Sequence, residues 1–389
     1  MKIAFTLGSE KISGGTYVIF EHAIRINRQD NFEVTIITEH VINKDLDLSW
    51  HPEARELNWG TYDLCNDEFD ILIGTWWRTV YEMPRVRAKN YCYFVQSIES
   101  KFYSAPNDNI IRQLVDSTYK LGMPIITEAT WIKDYLLDNY NINAYLVKNG
   151  IRKDVYTTTG EYIVPKLEKG KLRILVEGPL GVDFKNTEKS LELARKSNAD
   201  EVWLMTSTPL KHHKLADRVF SQVPIFKTPE IYRSCDLVLK LSYVEGMFGP
   251  PLEMFHCGGT AVVYDVTGHD EYMVHKYNSY VVHRDNEQKV IDYLNYLKKH
   301  YKTLSELKSN ASITASNWYG WDDAAECFKQ SLFDIVEHGT INQVILKQNC
   351  AFFFNWYVIA ENYRLANISK RATGRIKRTL KSLKVKFFV

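Results

Sequence analysis

The segment from Ser242 to Glu253 constrains the fold of this chain more than any other stretch. It reads Ser-Tyr-Val-Glu-Gly-Met-Phe-Gly-Pro-Pro-Leu-Glu, with an apolar strand-like run before it and a helical pattern within its end and beyond. A strand, a tight turn and a helix N-terminus often bind an anion, because free backbone N–H groups and the helix dipole point towards it. Two carboxylates, Glu245 and Glu253, flank the turn and can grip hydroxyl groups. The segment therefore predicts a ligand with phosphate and hydroxyl groups, such as a nucleotide sugar.

Strand-like and helical patterns alternate through most of the chain, which is typical of open, mostly parallel α/β sheets. We expect two Rossmann-like domains, an acceptor domain over 1–151 and a nucleotide-sugar domain over 172–320, joined by a polar linker over 152–171. Ligands of such sheets bind beyond the carboxyl ends of the strands, so the two domains are predicted to face each other across a cleft. Helices over 321–361 are expected to pack back on the N-terminal domain, followed by a tail over 362–389.

The apolar runs place the individual strands. In the first half they predict strands at Lys2 to Leu7, Glu33 to Thr38, Asp70 to Gly74, Tyr91 to Gln96, Pro124 to Thr127 and Ala144 to Lys148. In the second half they predict strands at Leu172 to Glu177, Glu201 to Met205, Pro224 to Lys227, Leu237 to Leu241, Thr260 to Tyr264 and Ser279 to Val282.

The basic character of the chain belongs to its C-terminal tail. Residues 362–389 contain nine Lys/Arg and no acid, so the remaining 40 bases face 47 acids and leave the body at −7. This charge argues against nucleic-acid binding by the body. Apolar residues spaced three or four apart give the tail one apolar stripe, which favours binding to an anionic membrane surface; packing against the acidic body or a second subunit is the alternative. The predicted membrane contacts are Arg371, Arg375, Lys377, Arg378, Lys381 and Lys384.

Cysteine usage and hydropathy suggest the compartment. The six cysteines are scattered without a Cys-x-x-Cys pair, which indicates neither zinc nor a disulfide framework. The N-terminal apolar run is too short for a signal peptide, and no run approaches the ~20 apolar residues that span a bilayer. We therefore expect a cytoplasmic protein, held peripherally on the inner face of the plasma membrane.

Residues Leu237 to Val282 resemble the signature region of GT-B fold glycosyltransferases, specifically the retaining family 4 group. The matching motifs are Glu-Gly-x-x-Gly-Pro-Pro-Leu-Glu from Glu245, Cys-Gly-Gly-Thr-Ala-Val-Val from Cys257, and Asp-Val-Thr-Gly from Asp265. A weaker resemblance covers most of the first 330 residues. Within the group, the stretches at 96–103 and 177–180 are similar to bacterial polysaccharide rhamnosyltransferases.

The resemblance implies roles for individual residues. Glu253 would hold the ribose hydroxyls, Glu245 would contact the transferred sugar, and Lys185 would neutralise the departing diphosphate. Many members carry an arginine where this chain has Pro179, so a second cation must come from elsewhere; Lys211, His212, His213 and Lys240 are unranked candidates, and the helix N-terminus near Pro251 is another source. The predicted donor-binding residues are Gly14, Gly15, Glu245, Gly246, Met247, Phe248, Gly249, Pro250 and Glu253.

Two further features remain open from the sequence. Gly14 and Gly15 follow the first strand, where glycines permit close backbone approach to a phosphate or sugar. Glu99 follows a strand and is a catalytic candidate that would bind the acceptor or line the donor site; a structural hydrogen bond is the alternative. Asp45-Leu46-Asp47 does not end an apolar strand, so we predict no metal site there and no cofactor.

The function these features predict is transfer of a sugar from a nucleotide-diphosphate sugar to a glycan acceptor. The resemblance implies retention at the anomeric carbon without a metal, on a lipid-linked bacterial surface polysaccharide such as O-antigen. A GT-B epimerase or phosphorylase, and a catalytically silent subunit that binds glycan and anchors a partner enzyme, are the alternatives. A homodimer or a biosynthetic complex stays open.

Overall fold

Two parallel β-sheets, each covered by helices, form the body of the protein. The computed structural model describes residues 1–65 and 67–386, with side chains as far as residue 368. The predicted fold class is confirmed: two α/β domains of Rossmann-like topology with a helical C-terminal extension.

The N-terminal sheet has seven parallel strands in the order β3-β2-β1-β4-β5-β6-β7. Their bounds are β1 (Lys2–Thr6), β2 (Glu33–Thr38), β3 (Asn58–Thr61), β4 (Glu68–Gly74), β5 (Arg87–Val95), β6 (Ile125–Thr127) and β7 (Tyr145–Leu146). Sequence patterns predicted six of them and missed β3. This edge strand reads Asn-Trp-Gly-Thr and buries only Thr61, so it lacks the apolar run that marks the others.

Helices cover both faces of this sheet. Their bounds are α1 (Gly14–Asn27), α2 (Lys44–Asp47), α3 (Trp77–Glu82), α4 (Asn109–Ser117) and α5 (Thr130–Tyr140). The first helix begins at Gly14 because the Ser13 hydroxyl accepts a hydrogen bond from the backbone N–H of Thr16 at 3.1 Å. This cap fixes the glycine-containing turn at the carboxyl end of β1.

The C-terminal sheet has six parallel strands in the order β10-β9-β8-β11-β12-β13. Its elements are β8 (Arg173–Glu177), α6 (Thr187–Lys196), β9 (Glu201–Thr206), β10 (Arg218–Ser221), α7 (Thr228–Ser234), β11 (Leu237–Lys240), α8 (Gly249–His256), β12 (Thr260–Tyr264), β13 (Tyr280–Val282) and α9 (Glu287–Lys299). The central strands are buried on both faces, as expected for a parallel sheet between helices.

The strand predicted at Pro224 to Lys227 is wrong. The edge strand lies earlier, at Arg218–Ser221, and the predicted stretch instead forms a turn in which Lys227 N–H donates to the Pro224 carbonyl at 2.9 Å. Proline has no N–H to give to a sheet, so it ends the strand pattern rather than continuing it.

Three helices complete the chain: α10 (Tyr301–Ser316), α11 (Trp321–His338) and α12 (Gln343–Lys386). Helix α11 returns to the N-terminal domain, where Phe328 packs against Phe5 and Phe94. Helix α12 packs on the same domain through the buried Leu346 and Cys350. Among the described helices, none is both long enough and apolar enough to cross a membrane.

Candidate functional site

A cleft of about 640 Å³ lies between the carboxyl ends of the two sheets. The N-terminal domain contributes the loops that follow β1, β5, β6 and β7, and the C-terminal domain contributes those that follow β8, β9, β10 and β11. Parallel strands bring their carboxyl ends to one edge, so residues far apart in sequence meet there. All of the predicted catalytic and donor-binding residues except Phe248 line this cleft.

Glu245 is a buried carboxylate of the cleft, with 6% exposure. Its Oε2 accepts a hydrogen bond from Lys185 Nζ at 2.7 Å, while its buried Oε1 has no hydrogen-bond partner among the described residues. Burial acts to raise the pKa of Glu245, but Lys185 and Lys240 outweigh it and hold the pKa below its ordinary value. The site therefore presents an ionised carboxylate with one oxygen free to accept from a ligand.

Glu253 lies on α8, one turn into the helix that follows the Gly/Pro turn. Its Oε2 accepts a hydrogen bond from the Tyr232 hydroxyl at 2.8 Å. Burial, helped by the nearby charge of Glu177, raises the pKa of Glu253 to about 7, although the Tyr232 bond opposes the shift. This carboxyl therefore changes protonation state near neutral pH.

Lys185 ends a short 3-10 turn after β8. The next residue, Asn186, has φ 53°, which reverses the chain, and its amide donates to the Leu241 carbonyl at 3.0 Å. This bond ties the lysine loop to the end of β11, next to the Glu245 turn. The resulting Lys185–Glu245 ion pair is largely shielded from solvent, with 24% and 7% of the two side chains exposed.

Lys240 is the one of the four candidate second cations that lines the cleft. It ends β11 with 3% exposure, and its Nζ donates to the Glu177 carboxylate at 2.5 Å and to the Glu177 carbonyl at 3.2 Å. Lys211, His212 and His213 lie in the loop after β9, outside the cleft lining. Sequence patterns did not rank Lys240 because a lysine inside an apolar strand run carries no distinguishing spacing.

The turn between the two glutamates contacts the opposite domain. The backbone N–H of Met247 donates to Glu128 Oε1 at 2.8 Å, and Trp131 Nε1 donates to the Gly246 carbonyl at 3.0 Å. A Cβ built on Gly246 would lie 2.0 Å from the carbonyl oxygen of Gln96. Glycine is therefore required here by close approach between domains.

The other predicted donor residues divide between the cleft and the core. Met247, Gly249 and Pro250 line the cleft. The structure does not bring Phe248 there: its side chain is fully buried in the core of the C-terminal domain, and its carbonyl accepts from the Tyr272 hydroxyl.

Gly14 and Gly15 form the first turn of α1 and line the cleft. A Cβ on Gly15 would lie 3.5 Å from the Gln96 side-chain amide, whereas a Cβ on Gly14 would meet nothing within 4 Å. Gly15 thus lies beside Gln96, while Gly14 leaves open space above the helix N-terminus.

Glu99 lines the cleft but is held by its own domain. Its Oε2 accepts hydrogen bonds from the backbone N–H of Trp77 at 2.9 Å and from the Tyr93 hydroxyl at 3.0 Å. Burial raises its pKa to about 8, so it is mainly protonated at neutral pH. These contacts support the structural alternative for Glu99 more than direct contact with an acceptor.

Sequence reasoning missed Glu128, which follows β6 and is 4% exposed. Besides the bond from Met247, its Oε2 accepts from the Asn149 side-chain amide at 2.9 Å, and burial raises its pKa to about 7. The side-chain oxygen of Asn149 and the Ser97 hydroxyl are buried without a partner in the described structure, and both residues line the cleft. The sequence signal that could have identified Glu128 is its position directly after the buried strand β6.

Two groups of acidic side chains lie outside the cleft. Asp45 and Asp47 lie on α2, where Asp45 pairs with Arg55 and Asp47 Oδ2 accepts from the Asn43 backbone N–H. Glu21, His51 and Glu53 come close enough together to share an ion. Arg25 pairs with Glu21, and Arg152 pairs with both glutamates, so cationic side chains already compensate their charge.

The predicted membrane contacts fall in the C-terminal part of α12. Arg371, Arg375, Lys377, Arg378, Lys381 and Lys384 fall on the backbone of α12, but their side chains lie outside the described part of the chain.

Part of the chain matches a known protein family. Residues 208–313 match the family described as "Glycosyl transferases group 1". A comparison with curated protein sequences found no match.

Solved structures give the overall fold. Anabaena Alr3699/HepE, solved in complex with UDP and glucose, superposes with a TM-score of 0.66 at 13% identity over 86% of this chain and 100% of its own. Sucrose-phosphate synthase from Thermosynechococcus elongatus gives 0.65 at 12% identity over 86% and 98%. S. aureus TarM gives 0.67 at 11% identity over 86% and 100%.

At these identities the likeness establishes the fold. The chain therefore has the GT-B fold, as its motifs predicted, and the segment that carries the Glu245 turn falls within a glycosyl transferases group 1 match.

Proposed function

We propose that this protein is a glycosyltransferase that moves a sugar from a nucleotide-diphosphate sugar to a hydroxyl of a glycan. The support is the conjunction of the GT-B fold, the group 1 match at 208–313, and a cleft with both cationic and carboxylate groups. Structural neighbours that bind UDP and glucose are consistent with such a donor.

The observation that carries the proposal is the state of Glu245. A buried, ionised carboxylate is costly unless it is paired, and Lys185 donates a hydrogen bond to only one of its two oxygens. Lys240 Nζ lies 3.8 Å from the other oxygen, beyond hydrogen-bond distance. The free oxygen lies in a cleft large enough for a ligand. A sugar hydroxyl would donate to it, which satisfies the orphaned acceptor without disturbing the ion pair.

The neighbouring groups suit the rest of the donor. Glu253 on α8 would accept hydrogen bonds from the ribose hydroxyls, and Lys185 would contact the diphosphate. During transfer the bond from the anomeric carbon to the phosphate oxygen breaks, and its electron pair stays on that oxygen. The acceptor oxygen then bonds to the anomeric carbon and its proton passes to the departing diphosphate. Lysine stabilises the negative charge as it develops.

The finer assignments extend the same proposal. We infer that transfer retains the anomeric configuration and proceeds without a metal, since lysine can supply cationic charge beside the diphosphate. The acceptor would be a lipid-linked bacterial polysaccharide of the O-antigen type, and the sequence resemblance at 96–103 favours rhamnose as the sugar. The exposed α12 surface described next suits an acceptor that is held at a membrane.

Helix α12 supports a peripheral location on an anionic membrane. Its exposed face carries Ile345, Phe352, Trp356, Ile359 and Tyr363, separated by 7, 4, 3 and 4 residues and therefore on one side of the helix. Phe352, Ile359 and Tyr363 are 68%, 70% and 72% exposed. The sequence that follows carries only positive charge, which complements anionic lipid.

A donor panel tests the enzymatic proposal. Purified protein would be incubated with UDP-glucose, UDP-galactose, dTDP-rhamnose and GDP-mannose and a lipid-linked glycan, with detection of nucleoside diphosphate and of the extended glycan. We expect one donor to be used, and Glu245→Gln and Lys185→Met to lower kcat by about 100-fold or more. The exposed Glu168→Gln serves as the control. An isomerised donor would indicate an epimerase, and phosphate-dependent cleavage of a glycan would indicate a phosphorylase. Binding without turnover would indicate a catalytically silent subunit. Each of these results would contradict the transferase proposal.

A further inference from the structure

The cleft carries a second buried cation whose role the site described so far does not explain. Lys240 ends β11 and is only 3% exposed. Moving an ammonium group out of water costs several kcal/mol unless the protein compensates it. An apolar residue would continue the strand Leu237–Lys240 at no such cost, so the charge itself calls for an explanation.

The hydrogen bonds of Lys240 leave one donor unused. An ammonium group has three N–H donors. Two of them go to the carboxylate and the carbonyl of Glu177, at 2.5 and 3.2 Å. Within the described part of the chain no third acceptor lies at hydrogen-bond distance, and Glu245 Oε1 is 3.8 Å away. The remaining N–H is therefore available at a residue that lines the cleft.

Sheet register places this cation beside the loop that carries Lys185. Strands β8 and β11 are parallel neighbours, with Leu239 paired to Val176, so Lys240 and Glu177 are side by side where the two strands end. The loop after β8 leads from Glu177 to Lys185, and Lys185 bonds to the other oxygen of Glu245. Lys185 thus lies next to one oxygen of the Glu245 carboxylate, and Lys240 lies nearer the other.

Two cationic side chains are available to an anionic ligand in the cleft, and each is also paired with a glutamate. Among described residues, Lys185 and Lys240 are the cations that line the cleft. Burial opposes the charge on Lys240, but Glu177 and Glu245 outweigh it and raise its pKa above the ordinary value, so it stays protonated. A diphosphate ester carries at least two negative charges, and one lysine alone would leave part of that charge uncompensated in a water-poor cleft.

We propose that Lys240 contacts the diphosphate of the donor together with Lys185 and stabilises the charge that develops on it as the bond to the anomeric carbon breaks. This inference rests on the proposed function. Glu177 acts as the positioning residue, since it holds Lys240 at the strand end through two hydrogen bonds. The electron pair of the broken bond stays on the phosphate oxygen, which Lys240 would neutralise in part.

Isothermal titration tests the contact. The wild type would be titrated with UDP, dTDP, GDP and ADP, and with the nucleoside of whichever diphosphate binds. In Lys240→Met we expect the diphosphate to bind about ten- to hundred-fold more weakly, the value of one or two charged hydrogen bonds, and the nucleoside to bind as before. The exposed Lys211→Met is the matched control and should leave both affinities unchanged.

A second variant guards against a folding defect. Glu177→Gln/Lys240→Met removes both members of the buried pair, so no unpaired carboxylate remains beside the new methionine. It should show the same selective loss for the diphosphate. Equal loss for nucleoside and diphosphate would assign Lys240 a structural role and overturn the inference. Unchanged diphosphate affinity in both variants would also overturn it, whereas a wild type that binds none of the four nucleotides would overturn the proposed function itself.

Discussion

The Glu128 carboxylate of the N-terminal domain accepts a hydrogen bond from the Met247 backbone N–H of the C-terminal domain at 2.8 Å. The same turn carries Glu245, so the residue proposed to bind the sugar is held by contacts from both domains. Glu271 strengthens this side of the cleft by accepting from the Thr130 backbone N–H at 2.5 Å and pairing with Lys148 at 2.7 Å. The site geometry therefore depends on how closely the two domains approach.

Gly246→Ala should disrupt that approach. The added Cβ would lie 2.0 Å from the Gln96 carbonyl oxygen and 2.5 Å from Glu128 Oε1, so atoms on the opposite domain would have to shift. We expect transfer activity to fall at least tenfold, because a misplaced reacting group costs that much or more.

Gly60→Ala is the matched control for this prediction. Gly60 lies on β3 outside the cleft lining, and a Cβ there would meet no atom closer than 3.4 Å. Activity assays and small-angle scattering would compare the two variants. Equal activity in both would show that the domain contact at Gly246 does not set the site geometry.

The sequence predicted the two domains because buried parallel strands are continuous apolar runs. It also predicted the Glu245 turn, since glycine, proline and carboxylates at close spacing are a local signal. It could not place Glu128 or rank Lys240, whose importance comes from neighbours far away in the chain: Met247 is 119 residues from Glu128, and Glu177 is 63 from Lys240.

Phe248 was predicted from the sequence to bind the donor but does not line the cleft. Its place in the motif suggested contact with the donor, yet its side chain is buried in the same core cluster as Phe255 and Tyr272. Within a motif, the sequence did not reveal which residues face the cleft and which face the core. Only the packing of α8 against the sheet decides this.

Donor binding should depend on pH through Glu253. Burial raises the pKa of Glu253 to about 7, so in the free protein it is largely protonated below that pH. Ribose hydroxyls donate better to the carboxylate than to the acid, so binding favours the ionised form and releases a proton. We expect nucleotide affinity to increase as pH rises from about 6 to 8.

Titration calorimetry in buffers of different ionisation enthalpy would measure that proton release. In Glu253→Gln the release attributable to this group should disappear and affinity should fall about tenfold, the value of a charged hydrogen bond. Proton release of wild-type size in the variant would assign the titration to another carboxyl, such as Glu128.

Stability should also depend on pH through Glu99. Its pKa is raised to about 8 by burial, above the value of an unfolded glutamate, so the folded state binds the proton more tightly. The resulting stabilisation is fully present below the unfolded pKa and is lost as pH rises through about 8. We expect the free energy of unfolding, measured with denaturant, to fall between pH 5 and 9 by up to several kcal/mol more in the wild type than in Glu99→Gln. Parallel curves for the two proteins would contradict this.

Membrane attachment should require the exposed face of α12. Transfer of apolar side chains into the lipid interface is favourable by ~1 kcal/mol or more for each large residue, and the basic sequence beyond adds attraction to anionic headgroups. In Phe352→Ser/Trp356→Ser/Ile359→Ser we expect sedimentation with vesicles of phosphatidylglycerol and phosphatidylcholine to fall at least tenfold. Val41→Ser/Leu46→Ser, which removes two exposed apolar residues at 78% and 70% exposure from another part of the surface, is the control.

If the triple variant still sedimented with vesicles but lost self-association, the exposed face of α12 would be an interface between copies of the chain. If binding survived on pure phosphatidylcholine, the positive charge would have no part in it.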